Sequence, residues 1–155
     1  MSKLVFGDRI GKNANILVGS SAQIWDQTGE KILLTKRGDN GRWCLPGGQH
    51  DPGESVAETC AREVLEETGL IVEIVQLISV YSSPDMLLVY DDDHQYQVVS
   101  FHFAVNVIGG ELGLSNETTD VGYFSLDEIH KMDVMEHHKQ RIDDALLGKN
   151  ETIVR

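Results

Sequence analysis

The chain has 155 residues, 41% of them apolar, which is enough for one domain (1–155) with a real core. Its formal net charge of −12 argues against DNA or RNA polymer as a bulk partner, because phosphate backbones favour basic surfaces. No charged-then-apolar leader and no apolar run near the roughly 18 residues of a membrane span is visible, so a soluble, cytoplasmic protein with no membrane partner is expected.

Residues 1–15 are mixed in character and read as an edge strand or arm. Residues 16–25 are apolar and rich in small side chains, as a buried strand would be. A turn at 27–30 and the run KILLTKR at 31–37 predict a hairpin. A loop at 38–41 leads to the short extended piece WCLP at 43–46. Lys36, Arg37 and Arg42 form a dense basic cluster here, either phosphate contacts or exposed strand-end charge. Cys44 and Cys60 make neither CxxC nor zinc spacing and read as buried reduced thiols.

Pro46-Gly47-Gly48 and Asp51-Pro52-Gly53 are turn signals. Ser55 is an N-cap with Glu58 as the other half of a capping box, and Gly69 suits a helix stop. The spacing predicts a helix over 56–68. Its core face would hold Val56, Ala57, Cys60, Ala61, Val64 and Leu65. Glu63 and Glu67 stand one turn apart, with Glu66 beside them, and such like-charge pairs cost about 0.2–0.5 kcal/mol each. Arg62 can offset part of this, and a divalent cation more. Carboxylate oxygens suit a hard ion, Mg²⁺ or Mn²⁺. The plainer alternative is a solvated acidic helix face.

Residues 71–81 are β-branched and apolar, another strand. Residues 82–94, with Pro84 and Asp91-Asp92-Asp93, read as a loop or hairpin tip. Residues 97–107 alternate loosely as a strand, in which His102 reads as an ordinary strand residue, and Gly109-Gly110 marks a turn. Residues 116–126 form a loop running into a short strand, followed by a short helix at 127–131 and an amphipathic one at 134–147. His137 and His138 point about 100° apart on that helix and read as surface residues, not a metal pair. The order of elements suits an α+β domain with a mixed sheet between helices.

The stretch 48–70, GQHDPGESVAETCAREVLEETGL, has a pattern of its own: Gly48, five residues, Glu54, seven residues, Arg62-Glu63-Val64, one residue, Glu66-Glu67, one residue, Gly69-Leu70. It resembles the Nudix box of hydrolases that cleave nucleoside diphosphates linked to another group. The resemblance extends upstream through LLTKR and WCLPGG, is firm over 16–70 and is looser to about residue 129. It implies an α/β/α sandwich with a mixed sheet. It implies that Glu63 and Glu67 hold metal, joined by the Gly47 carbonyl, with Glu66 in the same cluster, where it can share a second ion or a bound water. Glu66, Glu67 and Glu117 are then the catalytic carboxylates, Glu117 as general base or extra ligand and Asp120 in reserve. Arg37 and Arg42 would contact phosphate, Arg37 being favoured by family position. Glu54, Arg62 and Gly48 would be structural, although Glu54 sometimes reaches metal. Tyr81 and Phe101 could line the pocket.

An anionic diphosphate substrate on so acidic a chain calls for bound Mg²⁺, or Mn²⁺ in its place. The expected partner is a small-molecule nucleotide, with a homodimer allowed. ADP-ribose or a nucleotide sugar is the first substrate expectation and a nucleoside triphosphate of the house-cleaning type the second. A non-catalytic nucleotide-sensing domain is the rival class, but such domains usually lose box glutamates and none is lost here.

Overall fold

The computed structural model describes residues 2–155. In chain order the elements are β1 (Lys3–Phe6), a 3-10 turn (Ile10–Asn13), β2 (Asn15–Gln23), β3 (Lys31–Arg37), β4 (Trp43–Cys44), β5 (Gly47–Gln49), α1 (Val56–Thr68), β6 (Leu70–Tyr81), β7 (Met86–Val89), β8 (Gln95–Gly110), β9 (Thr118–Ser125), α2 (Leu126–Lys131), α3 (Glu136–Leu146) and β10 (Ile153–Val154).

Two sheets share the core. The larger has seven strands, along the path β1-β7-β8-β2-β5, with β6 also on β8 and β10 on β6. It is mixed: β2 runs parallel to β8 from Asn15 opposite Tyr96 to Gln23 opposite Ala104, whereas β6 and β7 are antiparallel to β8. The smaller sheet is β4-β3-β9, all antiparallel. One core cluster lies under α1, where Cys60 and Val64 meet Ala22, Ile24, Leu33, Phe103 and Val105. A second lies under α2 and α3, joining Ile32, Leu34, Leu45, Ile129, Val134 and Ile142. Helices therefore cover both faces, the expected α/β/α sandwich.

The predicted hairpin of residues 16–37 is half right. The turn is present: Leu33 N–H donates to the Ile24 carbonyl, and Asp26 N–H to that of Lys31. Past the turn the strands diverge into different sheets, because β8 claims the length of β2 and β9 that of β3. Strand partners distant in sequence decided this. The Gly109-Gly110 turn is likewise absorbed into β8, where Gly110 pairs with Leu70. Residues 86–89 of the expected loop add a short strand between β1 and β8, while 91–93 stay outside strands.

α1 spans the expected residues, with both halves of the capping box formed between Ser55 and Glu58 and Gly69 left-handed at its end. Its core face is the expected one at Val56, Ala57, Cys60, Ala61 and Val64, and differs at one residue. Leu65 is 48% exposed, while Thr59 and Thr68 are buried. Glu63 and Glu67 sit half-buried at the edge of that face.

Candidate active site

The glycine turn and α1 place the central groups of the site. β5 pairs antiparallel with β2, setting Gly47 opposite Ser21 and Gly48 opposite Ser20. This seats the glycine turn against the open side of α1. Glu67 Oε2 accepts from Gly47 N–H at 3.0 Å. A side chain at Gly48 would collide with the Glu63 carboxylate, with a Cβ only 2.4 Å from its Cδ. The small residue therefore makes room for a carboxylate.

Arg62 ties the turn to the helix. Its Nη2 donates to the Gln49 carbonyl at 2.9 Å and to Glu54 Oε2 at 3.0 Å, its Nε to Glu54 Oε1, and its Nη1 to Glu63 Oε1 at 2.8 Å and Glu66 Oε2 at 3.1 Å. The guanidinium beside it holds the Glu54 carboxyl down at about 2. Glu54 also accepts from Asp51 N–H and the Thr59 hydroxyl, so its oxygens are fully used within the loop. Glu54 and Arg62 thus pair across the loop and the helix.

Glu67 is different in kind. Burial, with the nearby charges of Glu63 and Glu117, pushes its carboxyl up to about 7 despite the opposing Gly47 N–H and Arg37. Burial raises Glu63 as well, against the pull of Arg62. Glu63 Oε2 and Glu67 Oε1 have no hydrogen-bond donor among the described residues. Glu66 is 57% exposed and reaches only Arg62.

Glu117 precedes β9. Its carbonyl accepts from Gly38 N–H at 3.0 Å, which docks the loop beside the end of β3. A cleft lined by Thr35, Arg37, Asp39, Glu67 and Glu117 results. Arg37 stands in it, paired with Asp39 at 2.8 Å. Asp120 instead accepts from its own neighbour, Val121 N–H, and lies opposite Lys36.

Other expectations require revision. Arg42 is turned away from the carboxylates and holds the start of α3, pairing with Asp133 at 2.9 Å and Glu136 at 2.8 Å. Phe101 packs on the α1 side of the core. Tyr81 lies one rung from Phe101 on the sheet's opposite face, its hydroxyl donating to Asp144 at 2.8 Å. His138 is buried, its Nδ1 accepting from Leu45 N–H at 3.1 Å, and His137 is half-buried. The apolar residues of α3 make up only part of its buried face. His138, Arg141 and Asp144, spaced by three, also lie inside, and that spacing was the available signal. His102 is buried in β8 in a polar network and belongs to no ligand cluster. Both cysteines are buried thiols, as expected.

A NUDIX domain family model matches residues 17–145. The chain belongs to the Nudix hydrolase family. ADP-ribose pyrophosphatase of Methanocaldococcus jannaschii is 40% identical to it over 123 residues, covering 77% of this chain and 68% of the relative. The MutT-like protein of Streptomyces ambofaciens is 34% identical over 118 residues, covering 76% and 70%. Among solved structures, an ADP-ribose pyrophosphatase from Streptococcus suis superposes with a TM-score of 0.68 at 27% identity, covering 90% of this chain and 98% of that one. The enzyme class, hydrolysis of phosphoric anhydride bonds, follows from this membership. No helix of this Nudix hydrolase, among its described residues, is long and apolar enough to cross a membrane.

Proposed function

We propose that this Nudix hydrolase cleaves the pyrophosphate bond of a nucleoside diphosphate derivative such as ADP-ribose or a nucleotide sugar, using Mg²⁺ or, in its place, Mn²⁺. One observation carries the reading. Two half-buried carboxylates, Glu63 and Glu67, repel each other beside a cleft that also holds Arg37 and Glu117. The 40% identity to an ADP-ribose pyrophosphatase supports the substrate class.

The residues fit a hard divalent ion. Their donors are carboxylate oxygens, two of them without hydrogen-bond partners. Among the described residues no three acidic, imidazole or thiol side chains gather into a cage. Mg²⁺ takes one or two protein carboxylates and fills its shell with water and substrate phosphate. Glu63 and Glu67 would hold it, with the Gly47 carbonyl and Glu66 adjoining. Bound, it would neutralise phosphate oxygens and make a coordinated water more acidic.

The chain's own groups do the rest. Arg37 pairs with diphosphate oxygens and stabilises the charge that grows on them. Glu117 takes the proton from the attacking water as its oxygen bonds to phosphorus and the bridging P–O bond breaks. Arg62 and Glu54 hold α1 to the glycine turn so that these groups keep their spacing.

The test is a screen of purified protein with Mg²⁺ against ADP-ribose, nucleotide sugars, deoxynucleoside triphosphates and dinucleoside polyphosphates. Phosphate is measured with and without added phosphatase. Turnover of ADP-ribose or a nucleotide sugar, with phosphate appearing only when phosphatase is added, is the expected result. Preference for triphosphates would move the substrate to that class. No turnover of any would overturn the reading in favour of a nucleotide-sensing domain.

A further inference from the structure

A second cleft runs along the face of the large sheet opposite α1. It begins at Gly47 and Gly48 and continues to Tyr81 and Arg155 near the chain's end. Leu17, Met86, Leu88 and Val98 give it apolar walls. Its polar part comes from α3, where Arg141 and His137 line both halves of the cleft.

Arg141 is anomalous. It is 6% exposed, yet it has no carboxylate partner among the described residues. Arg37, Arg42, Arg62 and Arg155, all less buried, each have one. Buried charges are ordinarily paired, because removing them from water is costly. The hydrogen bond it makes within the protein runs from Nη1 to Ser21 Oγ at 3.2 Å, and its Cζ lies 5.5 Å from the Tyr81 ring centre. Nε is sealed from water without a partner. Nη2 also lacks a protein acceptor but is not sealed, so it opens on the cleft.

The network behind Arg141 explains why it cannot turn inward. Ser21 Oγ accepts from Arg141 and so donates to His102 Nδ1 at 2.8 Å. His102 then donates from Nε2 to Gln23 Oε1 at 3.1 Å. The acceptors on that side are used up. His137 shows the same pattern one turn away. Its Nδ1 is sealed without a partner, and its Nε2 has none and faces the cleft. Burial and the charge of Arg141 keep its ring neutral, so Nε2 either accepts or donates according to tautomer.

We infer that Arg141 and His137 read the base of the nucleotide, and that this base is a purine. The inference rests on the nucleotide-hydrolase reading above. A free anion would suit the guanidinium but not the apolar walls; a flat heterocycle with acceptors on one edge suits both. Arg141 Nη2 donates to purine N7. His137 Nε2 meets the neighbouring 6-substituent, accepting from an amino group or donating to a carbonyl. A pyrimidine has no ring nitrogen on that edge to receive Arg141.

The test is calorimetric binding of AMP, GMP, UMP, 7-deaza-AMP and inorganic phosphate to the full chain with Mg²⁺. AMP and GMP should each bind at least about tenfold more tightly than UMP, and replacing N7 by carbon should weaken AMP about tenfold. The 7-deaza comparison needs no substitution and so does not depend on a buried variant folding. In Arg141→Lys, which keeps the charge and loses the planar fork, the preference for AMP over 7-deaza-AMP should shrink to within about twofold. Equal binding of AMP and 7-deaza-AMP, or UMP as tight as AMP, would overturn the inference. So would inorganic phosphate binding as tightly as AMP. Hydrolysis of uridine and adenosine diphosphate sugars at equal rates would sink the purine assignment while leaving the reaction intact. Purine-selective binding without hydrolysis of any nucleotide would sink the reaction and leave the base site standing.

Discussion

Replacing Gly48 by alanine tests whether the glycine turn exists to place a carboxylate. The new Cβ would lie 2.4 Å from Glu63 Cδ and 2.5 Å from both of its oxygens, where ordinary contact begins near 3.4 Å. The Glu63 carboxylate must retreat by about 1 Å. Gly48 is not among the residues of positive φ, so alanine incurs no backbone penalty. The clash is with the tip of a flexible side chain, and the stability change should stay within about 1 kcal/mol. A displacement of about 1 Å at a reacting centre costs on the order of 100-fold, or about 2.7 kcal/mol of barrier. Gly47→Ala is the contrasting control. There the Cβ would sit 2.2 Å from the Ser20 carbonyl oxygen and 2.6 Å from Ser21 Cα, backbone that cannot yield without parting β5 from β2. Urea denaturation should show Gly47→Ala destabilised by about 2 kcal/mol or more, with Gly48→Ala near wild type. Steady-state kcat/KM with Mg²⁺ should fall about 100-fold in Gly48→Ala. Activity within about threefold of wild type, or a loss of activity that merely tracks a loss of stability, would refute the reasoning.

Glu67→Gln should abolish Mg²⁺-dependent turnover while leaving the melting temperature unchanged or higher, since the carboxylate is buried beside Glu63; an unchanged rate would end its catalytic assignment. Glu117→Gln should lower kcat by at least about 100-fold and Asp120→Asn by less than twofold, read from initial rates at saturating substrate. Arg42→Ala should leave KM within twofold and lower stability by about 1 kcal/mol or less, its ion pairs being partly exposed. Acid should destabilise the fold before the ordinary carboxylates titrate. His102 and His137 are held down at about 3 and His138 well below its usual value, all by burial, so below about pH 6.5 the unfolded chain binds protons that the fold cannot. Each histidine removes on the order of 1 kcal/mol between pH 7.5 and 5.5, while Glu67 and Glu63, both raised by burial, give part of that back in the same window. Three histidines outweigh the two glutamates, so the urea midpoint should be lower at pH 5.5 than at pH 7.5, and a higher midpoint at pH 5.5 would contradict the burial of the histidines.

The site was legible where it is local. Ser55, Glu58 and Gly69 delimit α1 through contacts within a few residues of each other, and the helix fell where their spacing placed it. The glutamates of the box share one helix, so their grouping needed only its pitch. Distant partners were harder to read. Arg37 and Arg42 are alike in sequence, and only the position of α3 sends one to Asp133 and Glu136 and leaves the other beside Glu67. Tyr81 and Phe101 could not be assigned to a face until the register of β6 on β8 was known.

Family, reaction class and the helix that bears the carboxylates could be read from the sequence alone. These depend on residue type and short-range spacing. Tertiary packing set the half-burial of Glu63 and Glu67, the approach of Glu117 to the end of β3, and the inward turn of His138 and Arg141. Burial and electrostatic coupling are properties of what surrounds a group, and those surroundings are assembled from strands far apart in the chain. The pairing of β2 with β8 brings Ser21 to His102 and leaves Arg141 facing an open cleft.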